Sequence, residues 1–277
     1  MNSNLKILGI AETPIHRIPF HNVDGTRKIT KELLPILQGT VTGLPPDIDG
    51  LIVMSDLQGR ERQDHTKARL LGELVVEHLT ALHAVGKLPI PSRMGVLLAG
   101  DFYVTAGLVR RGGLGDVSPV WLDFSKHFRW VTGVLGNHDI LDLQKVETGQ
   151  PTAKFNLLEG TMAQLDGLRI GGVGGIIGDP AKINCKSAKE FLDLLEGIQL
   201  EKPDILITHE GPSGPNRLGN HMLRDHFEEW AKLNAESGQA PPLIICGHRH
   251  WPNPLMELPH GQQVLNVDSR VVVLVRE

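Results

Sequence analysis

The sequence predicts an α/β fold with at least one mixed β-sheet. Short, continuous apolar runs have the length and composition of strands that are buried on both faces. Amphipathic helical patterns separate the runs in the first half of the chain, and runs follow one another closely at the end, which is the arrangement expected of a mixed sheet. The predicted strands span residues 5–10, 51–54, 94–99, 130–135, 168–173, 205–208, 243–246, 263–267 and 271–275, and the predicted helices span residues 66–85, 187–196 and 218–236.

The composition is that of an ordinary globular protein. The chain has 277 residues, of which 40% are hydrophobic and 22% are charged, enough for one large α/β domain or two small ones. A formal charge of −4 does not indicate tight non-specific binding to nucleic acid or to an anionic membrane, although a local basic patch is compatible with it. No apolar run approaches the roughly 18 residues of a membrane span. We therefore expect a cytoplasmic protein without a membrane partner.

The two cysteines and the first 50 residues carry weaker signals. Cys185 and Cys246 lie in or beside predicted buried elements, so we expect small packing residues rather than a disulfide. Residues 1–50 contain a short strand and then several prolines and glycines, which predicts a mostly irregular segment packed on the core. Residues 51–277 are then expected to form the main domain.

Five polar motifs each follow an apolar run. In open α/β sheets, loops at the carboxyl ends of strands meet in one crevice, so side chains far apart in sequence can converge there. Together the motifs supply carboxylate, carboxamide and imidazole groups, a donor set that suits Mn, Fe, Zn or Co better than Ca. The candidate residues are Asp56, Gln58, Asp101, Asn137, His138, Asp139, His209, His248 and His250.

Each motif also has an ordinary structural explanation. Asp56 and Gln58 are common turn residues after a strand, and Asn137 could cap a helix. His248 and His250 could simply flank Trp251. All of these explanations would have to hold together, for five motifs at five strand ends, so we favour a common metal site.

In their order, the motifs resemble the signature of the calcineurin-like metallophosphoesterases, from residue 51 to the C-terminus. The resemblance implies a four-layer α/β/β/α sandwich of two mixed sheets flanked by helices, with two divalent metal ions above one edge. By motif position, Asp101 would bridge both metals. The first metal would be held by Asp56, Gln58 and His250, and the second by Asn137, His209 and His248.

The resemblance also implies a mechanism. Two metal ions roughly 3.5–4 Å apart would lower the pKa of a bridging water, and the resulting hydroxide would attack phosphorus in line. His138 would stand beside the phosphoryl oxygen and serve the leaving group, with Asp139 as a possible orienting residue. No covalent phosphoenzyme is needed.

Two positions depart from the family pattern. Gln58 stands where the family usually has histidine, and its neutral amide oxygen is a weaker ligand, which predicts a looser first metal that prefers Mn or Mg. The second motif lacks the Asp-Arg pair found downstream in many members. A phosphate-binding arginine would have to come from elsewhere, and the candidates are Arg60, Arg110, Arg111 and Arg217.

The leading functional hypothesis is a hydrolase of small phosphorylated substrates. Monoesters, diesters and nucleotide anhydrides remain open, because rim loops choose the substrate, and we expect those loops in residues 102–129 and 210–222. The alternatives are a non-catalytic scaffold that binds proteins with the same fold, and a nuclease. The sequence does not indicate an oligomeric state.

Overall fold

The computed structural model describes residues 5–63, 68–110, 112–142, 155–215 and 217–277. Within these parts the chain is mixed α/β, with 18 strands and four α-helices. The strands are β1 (Lys6–Ile10), β2 (His16–Val23), β3 (Ile29–Thr42), β4 (Gly50–Ser55), β5 (Met94–Ala99), β6 (Gly115–Asp116), β7 (Trp130–Val134), β8 (Asp139–Ile140), β9 (Phe155–Leu157), β10 (Thr161–Leu165), β11 (Leu168–Val173), β12 (Ile176–Ile177), β13 (Cys185–Lys186), β14 (Ile205–Glu210), β15 (Leu243–Gly247), β16 (Leu255–Glu257), β17 (Gln263–Asn266) and β18 (Arg270–Arg276). The helices are α1 (Leu71–Ala84), α2 (Ser118–His127), α3 (Ala188–Leu200) and α4 (His221–Glu236).

The larger sheet has eight strands and is mixed. Its order is β1-β3-β18-β4-β5-β7-β9, and β2 pairs with the other half of the long strand β3. Strands β4, β5, β7 and β9 run parallel, whereas β18 is antiparallel to β4 and parallel to β3. Every residue of β4, β5 and β7 is buried, which explains why these strands are continuous apolar runs in the sequence.

The smaller sheet has six strands and is also mixed. Its order is β10-β11-β14-β15-β17-β16, with four parallel strands in the middle and an antiparallel strand at each edge. Two short parallel pairs, β6 with β8 and β12 with β13, lie outside both sheets. Both sheets therefore present several parallel carboxyl ends, where polar side chains can gather.

The hydrophobic clusters follow the two-residue period of the strands. Leu51 and Val53 of β4 share a cluster with Ile205 of the smaller sheet, so this cluster joins the two sheets. Ile52 and Met54, which alternate with them, belong to a cluster with α1 and α2. A third cluster packs α3 and α4 against the smaller sheet.

The N-terminal prediction was wrong beyond β1, because residues 16–42 form two strands rather than an irregular segment. Leu34 and Ile36 are buried while Leu33 is 58% exposed, which is a strand alternation. Pro19 interrupted this pattern in the sequence, but β2 pairs only with β3 among the described strands, and proline is tolerated in such an edge strand.

Two other expectations changed. Helix α2 lies in the segment 102–129, which was expected to form a rim, and its Trp121 and Phe124 are buried against α1 and the larger sheet. The first predicted helix begins at Leu71, and residues 64–67 at its expected start lie outside the described residues. Cys246 is buried as expected, in the cluster that packs α3 and α4 against the smaller sheet, whereas Cys185 is only half-buried on β13.

In the described parts of the chain, none of the helices combines the length and the apolar character that crossing a bilayer requires.

Gly133 lies where β7 passes β5, and it leaves no room for a side chain. A Cβ atom there would overlap the carbonyl oxygen of its partner residue Leu98. We expect Gly133→Ala to lower the free energy of unfolding by about 1–3 kcal/mol or more, because backbone rather than a flexible side chain would have to move. Chemical denaturation of the purified variant measures this.

Gly197→Ala is the matched control. Gly197 lies in α3, and a Cβ atom there would meet nothing within 4 Å. The control should be stabilised by roughly 0.5–1 kcal/mol through helix propensity. Equal stability of Gly133→Ala and the wild type would contradict the close pairing of β5 and β7.

Candidate metal centre

The motif residues lie at one edge of the structure, where carboxyl ends of strands from both sheets meet. Asp56 follows β4, Asp101 follows β5, and Asn137 follows β7 in the larger sheet. His209 lies on β14 and His248 follows β15 in the smaller sheet. Asp56, Asp101 and His248 have positive φ angles of 57°, 60° and 65°. Such backbone conformations are costly for these residues and are concentrated at functional sites.

His209 brings the two sets of strand ends together. Its Nδ1 atom lies 2.8 Å from the carbonyl oxygen of Ala99, so Nδ1–H donates there. Its Nε2 atom then faces Asp101 Oδ2 at 3.4 Å and Asn137 Oδ1 at 3.3 Å. The ring of His248 stands 5.2 Å from the ring of His209. Asp101, His209 and His248 can offer ligand atoms that all lie within 4.8 Å of one another.

The electrostatics of this group indicate a place for positive charge. Burial lowers the pKa of His209, but the charge and hydrogen bond of Asp101 outweigh it and raise the pKa to about 10. Burial raises the pKa of Asp101, yet the neighbouring His209 brings it below its usual value. Burial and then His209 lower the pKa of His248 to about 4, so its imidazole is neutral at pH 7 and has a free lone pair.

These residues fit a divalent metal. Nδ1–H of His209 donates to the carbonyl oxygen of Ala99, so Nε2 is the ring nitrogen that faces Asp101 and Asn137. Both of these groups present oxygen atoms, which only accept, so a proton or a metal cation between them and Nε2 is needed to avoid repulsion. A metal ion would supply the positive charge and use the same lone pairs. The set of Asp101, Asn137, His209 and His248 thus has the mixed nitrogen and oxygen donors of a transition-metal site.

The residues expected at the first metal are less well arranged. Asp56 Oδ2 accepts hydrogen bonds from the Ser55 hydroxyl and from the backbone N–H of His248, the latter at 2.8 Å. Burial and then the charge of Asp268 raise the pKa of Asp56. The amide nitrogen of Gln58 donates to Asp101 Oδ2 at 3.1 Å, so a half-turn of the amide is needed before its oxygen can face a metal.

His250 has neighbours that its motif did not indicate. Its side chain is 58% exposed, and Nδ1 lies 3.4 Å from Asp268 Oδ1. A guanidinium nitrogen of Arg270 lies 3.0 Å from Nε2, and the same nitrogen donates to the carbonyl of Trp251. In this arrangement His250 faces a carboxylate and a cation, so the role expected for it at the first metal remains a prediction.

His138 is held in one orientation beside Asp101. Its Nδ1–H donates to the carbonyl of Gly113 at 2.6 Å, and its backbone N–H donates to Asp101 Oδ1 at 2.9 Å. Nε2 is therefore the free ring nitrogen, 3.9 Å from Asp101 Oδ2, on a side chain that is 34% exposed. Gly112 packs against the ring, since a Cβ atom there would lie 2.8 Å from the ring carbon Cε1.

Asp139 does not have the place that the sequence suggested. Its carboxylate accepts four backbone N–H groups, from Gly136, Asp101, Phe102 and Tyr103, at 2.7–3.1 Å. The group that orients His138 is instead the carbonyl of Gly113. Burial and then the charge of Asp101 raise the pKa of Asp139 to about 6, against the hydrogen bonds from the backbone. Asp139 is a positioning residue that ties the loop after β5 to the loop after β7.

The four candidate arginines differ in their surroundings. Arg60 is used by the fold, because its guanidinium donates to the carbonyls of Ala68 and Val104. Arg217 is exposed in a turn, and Arg111 lies outside the described residues. Arg110 is exposed and lines an open cavity together with Asn137 and His138.

Two residues that fix the rim were missed by sequence reasoning. The side-chain amide of Asn184 donates to the carbonyls of Gly136 and Asp139, at 2.8 and 2.7 Å. Glu210 accepts from the backbone of Ile177 and from the side chain of Asn220. Glu210 follows His209 directly, so its position was a usable signal, whereas nothing in the sequence around Asn184 indicated its contacts.

Asp268 and Arg270 were also missed. Asp268 follows β17 at the same edge, and the principle that polar residues gather at carboxyl ends of parallel strands could have found it.

The fold and the donor set define a metal-binding α/β protein with its site between two sheets. The family model described as calcineurin-like phosphoesterase matches residues 51–266, and the chain belongs to this family. The family supports a metal-dependent hydrolase. None of the curated proteins that were compared matches the chain.

One solved structure is similar over most of its length. It is the crystal structure of AQ665, a protein of unknown function from Aquifex aeolicus, with 16% sequence identity over 81% of this chain and 95% of that chain. With a TM-score of 0.33, the similarity carries no argument about fold or function.

Asp139→Asn tests the positioning role. An amide can accept at one oxygen only, so at least one buried backbone N–H would face an NH₂ group, and we expect a loss of about 1–3 kcal/mol in stability. Metal affinity should fall as well, because Asp101 and Gly136 would no longer be held together. Thermal unfolding and metal titration measure the two effects.

Asp193→Asn is the control, since Asp193 is exposed on α3 and pairs only with Lys189 in the hydrogen bonds and ion pairs described. If Asp139→Asn retained wild-type stability and metal affinity, the carboxylate would not be what joins the two loops.

Proposed function

We propose that the protein hydrolyses phosphoric esters with two divalent metal ions bound at this edge. The observation that carries the proposal is the position of His209 Nε2, which faces the oxygens of Asp101 and Asn137 beside a neutral His248. Membership of the calcineurin-like phosphoesterase family supports the same chemistry. The four-layer sandwich belongs to this proposal, supported by the cluster shared between the sheets and the helix clusters.

Metal ions bound here would supply positive charge that activates a water molecule and neutralises the phosphoryl oxygens. Asp101, Asn137, His209 and His248 would hold one ion. Asp56, Gln58 and His250 would hold the other, with Asp101 shared. The hydrogen bonds of His209 to Ala99 and of Asp139 to the backbone fix these groups before a substrate arrives.

His138 would act on the leaving group. Its Nδ1–H is engaged by Gly113, so Nε2 is the nitrogen that can carry a proton to the departing oxygen. The side chain is partly exposed and stands next to Asp101, within reach of a substrate phosphate. No side chain needs to form a covalent intermediate in this scheme.

The substrate proposed is a small phosphorylated molecule. The cavity beside His138 has a volume of about 460 Å³, which is in the range of small-molecule sites. Comparing bis-p-nitrophenyl phosphate with p-nitrophenyl phosphate in the presence of manganese would distinguish a diesterase from a monoesterase.

Two histidine variants test the proposal as a pair. His209→Ala should lose both bound metal and hydrolysis. His138→Ala should keep its metal but lose roughly 10²–10⁴-fold in kcat, because the proton donor is absent. Metal content per chain, measured by elemental analysis, and the kcat for p-nitrophenyl phosphate and phenyl phosphate are the readouts. The loss in His138→Ala should be larger for phenyl phosphate, whose leaving group needs the proton more.

His127→Ala is the matched control, because His127 is an exposed histidine on α2. It should keep both metal and activity. If both His138→Ala and His209→Ala hydrolysed the substrates at the wild-type rate, the activity would come from a contaminant. This result would support the alternative that the protein is a non-catalytic scaffold that binds proteins.

Gln58→His tests the weakness of the first metal position. Imidazole binds transition metals more strongly than a neutral amide oxygen, and the variant removes the amide that donates to Asp101. We expect the second metal equivalent to bind at least about tenfold more tightly, as changes of single groups at metal sites commonly alter affinity by 10–100-fold. Calorimetric titration with Mn²⁺ or Zn²⁺ measures this affinity.

Gln164→His adds a histidine at an exposed position on β10 and serves as the control. If Gln58→His bound the second metal equivalent with the same affinity as the control, Gln58 would not be what weakens metal binding at the first position.

A further inference from the structure

The cavity beside His138 contains groups that the proposed hydrolysis does not use. It opens next to Asn137 and His138. Its remaining walls come from two separate parts of the chain. The residues that line it are Arg110, Gly113, Leu114, Asn137, His138, Lys182 and Ile183.

Two of these residues are cations without an acidic partner. Arg110 and Lys182 are both exposed, and within the described residues neither side chain has an ion pair or hydrogen bond. The chain has a net charge of −4, so two unpaired cations at one cavity are a local reversal of its charge. Such a reversal attracts an anion to this position.

The two segments that carry Arg110 and Lys182 are hydrogen-bonded to the loop that follows β7. The loop with Arg110 is held through the bond from His138 to Gly113. The segment with Lys182 is held by Asn184, whose amide donates to the carbonyls of Gly136 and Asp139. Both cations therefore stand on segments that are anchored to the loop that presents His138.

The cavity also offers apolar contact. Leu114 is 39% exposed and Ile183 is 59% exposed, one on each of the two anchored segments. Exposed aliphatic side chains that line a cavity with a few polar groups are typical of a site for a small organic molecule.

We propose that this cavity binds the leaving group of the substrate, and that this group has an apolar body and a second anionic group. Arg110 and Lys182 bind the anion, and Leu114 and Ile183 contact the body. The proposal rests on the proposed function, because the cavity belongs to the leaving group only if His138 serves the departing oxygen. The substrate class is thus a phosphoester that carries a carboxylate or a further phosphate.

Binding of phosphonates tests the proposal without hydrolysis. Benzylphosphonate and 4-carboxybenzylphosphonate have C–P bonds that a phosphoesterase does not cleave, and they differ by one anionic group. In calorimetry with manganese-loaded protein, we expect the carboxylate to improve binding roughly three- to tenfold, as two partly exposed ion pairs can provide. The improvement should shrink as the salt concentration is raised.

The double variant Arg110→Gln, Lys182→Gln should bind the two phosphonates within about twofold of each other, since the cations of the cavity are absent. Lys87→Gln is the matched control, because Lys87 is exposed before the amino end of β5, at the opposite end from the site. It should keep the full preference. Kinetics with phenyl phosphate and 4-carboxyphenyl phosphate should show the same preference in kcat/KM.

The outcomes separate the two proposals. Equal binding of both phosphonates to the wild type, or a preference that survives in the double variant, overturns the leaving-group site. Neither result bears on hydrolysis, which the His138→Ala and His209→Ala variants test separately. A preference that is lost in the double variant supports the site even in a preparation that hydrolyses neither ester. The wild type could instead show a higher kcat/KM for oligonucleotides than for both small esters, and the double variant could lose this preference. That result would assign the two cations to a nucleic-acid strand and overturn the proposal of a small leaving group.

Discussion

The position of His209 is the constraint on which the candidate site depends. The residue is fully buried on β14 of the smaller sheet, yet its ring is bonded to Ala99 of β5 in the larger sheet. This bond fixes the ring, so that Nε2 is directed at Asp101 and Asn137. The donor set exists only because two sheets with a common cluster place their strand ends at one edge. Folding and metal affinity are therefore linked through this side chain.

A second layer of hydrogen bonds determines where the reactive groups stand. Asp139 joins the loops after β5 and β7 through four backbone donors, and Asn184 attaches the rim segment to the same loop. His138 is oriented by the carbonyl of Gly113 rather than by a carboxylate. This bond fixes the ring and leaves Nε2 as the nitrogen that is available to a substrate, beside Asp101.

The sequence predicted the buried strands and the convergence of the motifs well, because continuous apolar runs and strand-end positions are local signals. It failed for residues 16–42, where Pro19 obscured a strand alternation that only pairing with β3 makes stable. It also failed for α2, whose burial against α1 decides its structure. The contacts of Asp139 and His250 could not be predicted, since they depend on backbone groups and on Arg270, which arrive from other parts of the fold.

The two proposed metal positions differ for a physical reason that lies in their neighbours. At the second position the ring of His209 is held by Ala99 in surroundings that favour positive charge, and the imidazole of His248 is neutral. At the first position Gln58 directs hydrogen atoms at Asp101, and His250 stands against Arg270, whose cation repels a metal ion. Binding there requires the amide to turn and His250 to leave its partners, so part of the binding free energy is spent on rearrangement. If two metals bind as proposed, the first position would fill at a higher metal concentration than the second, and hydrolysis would respond to the supply of free metal.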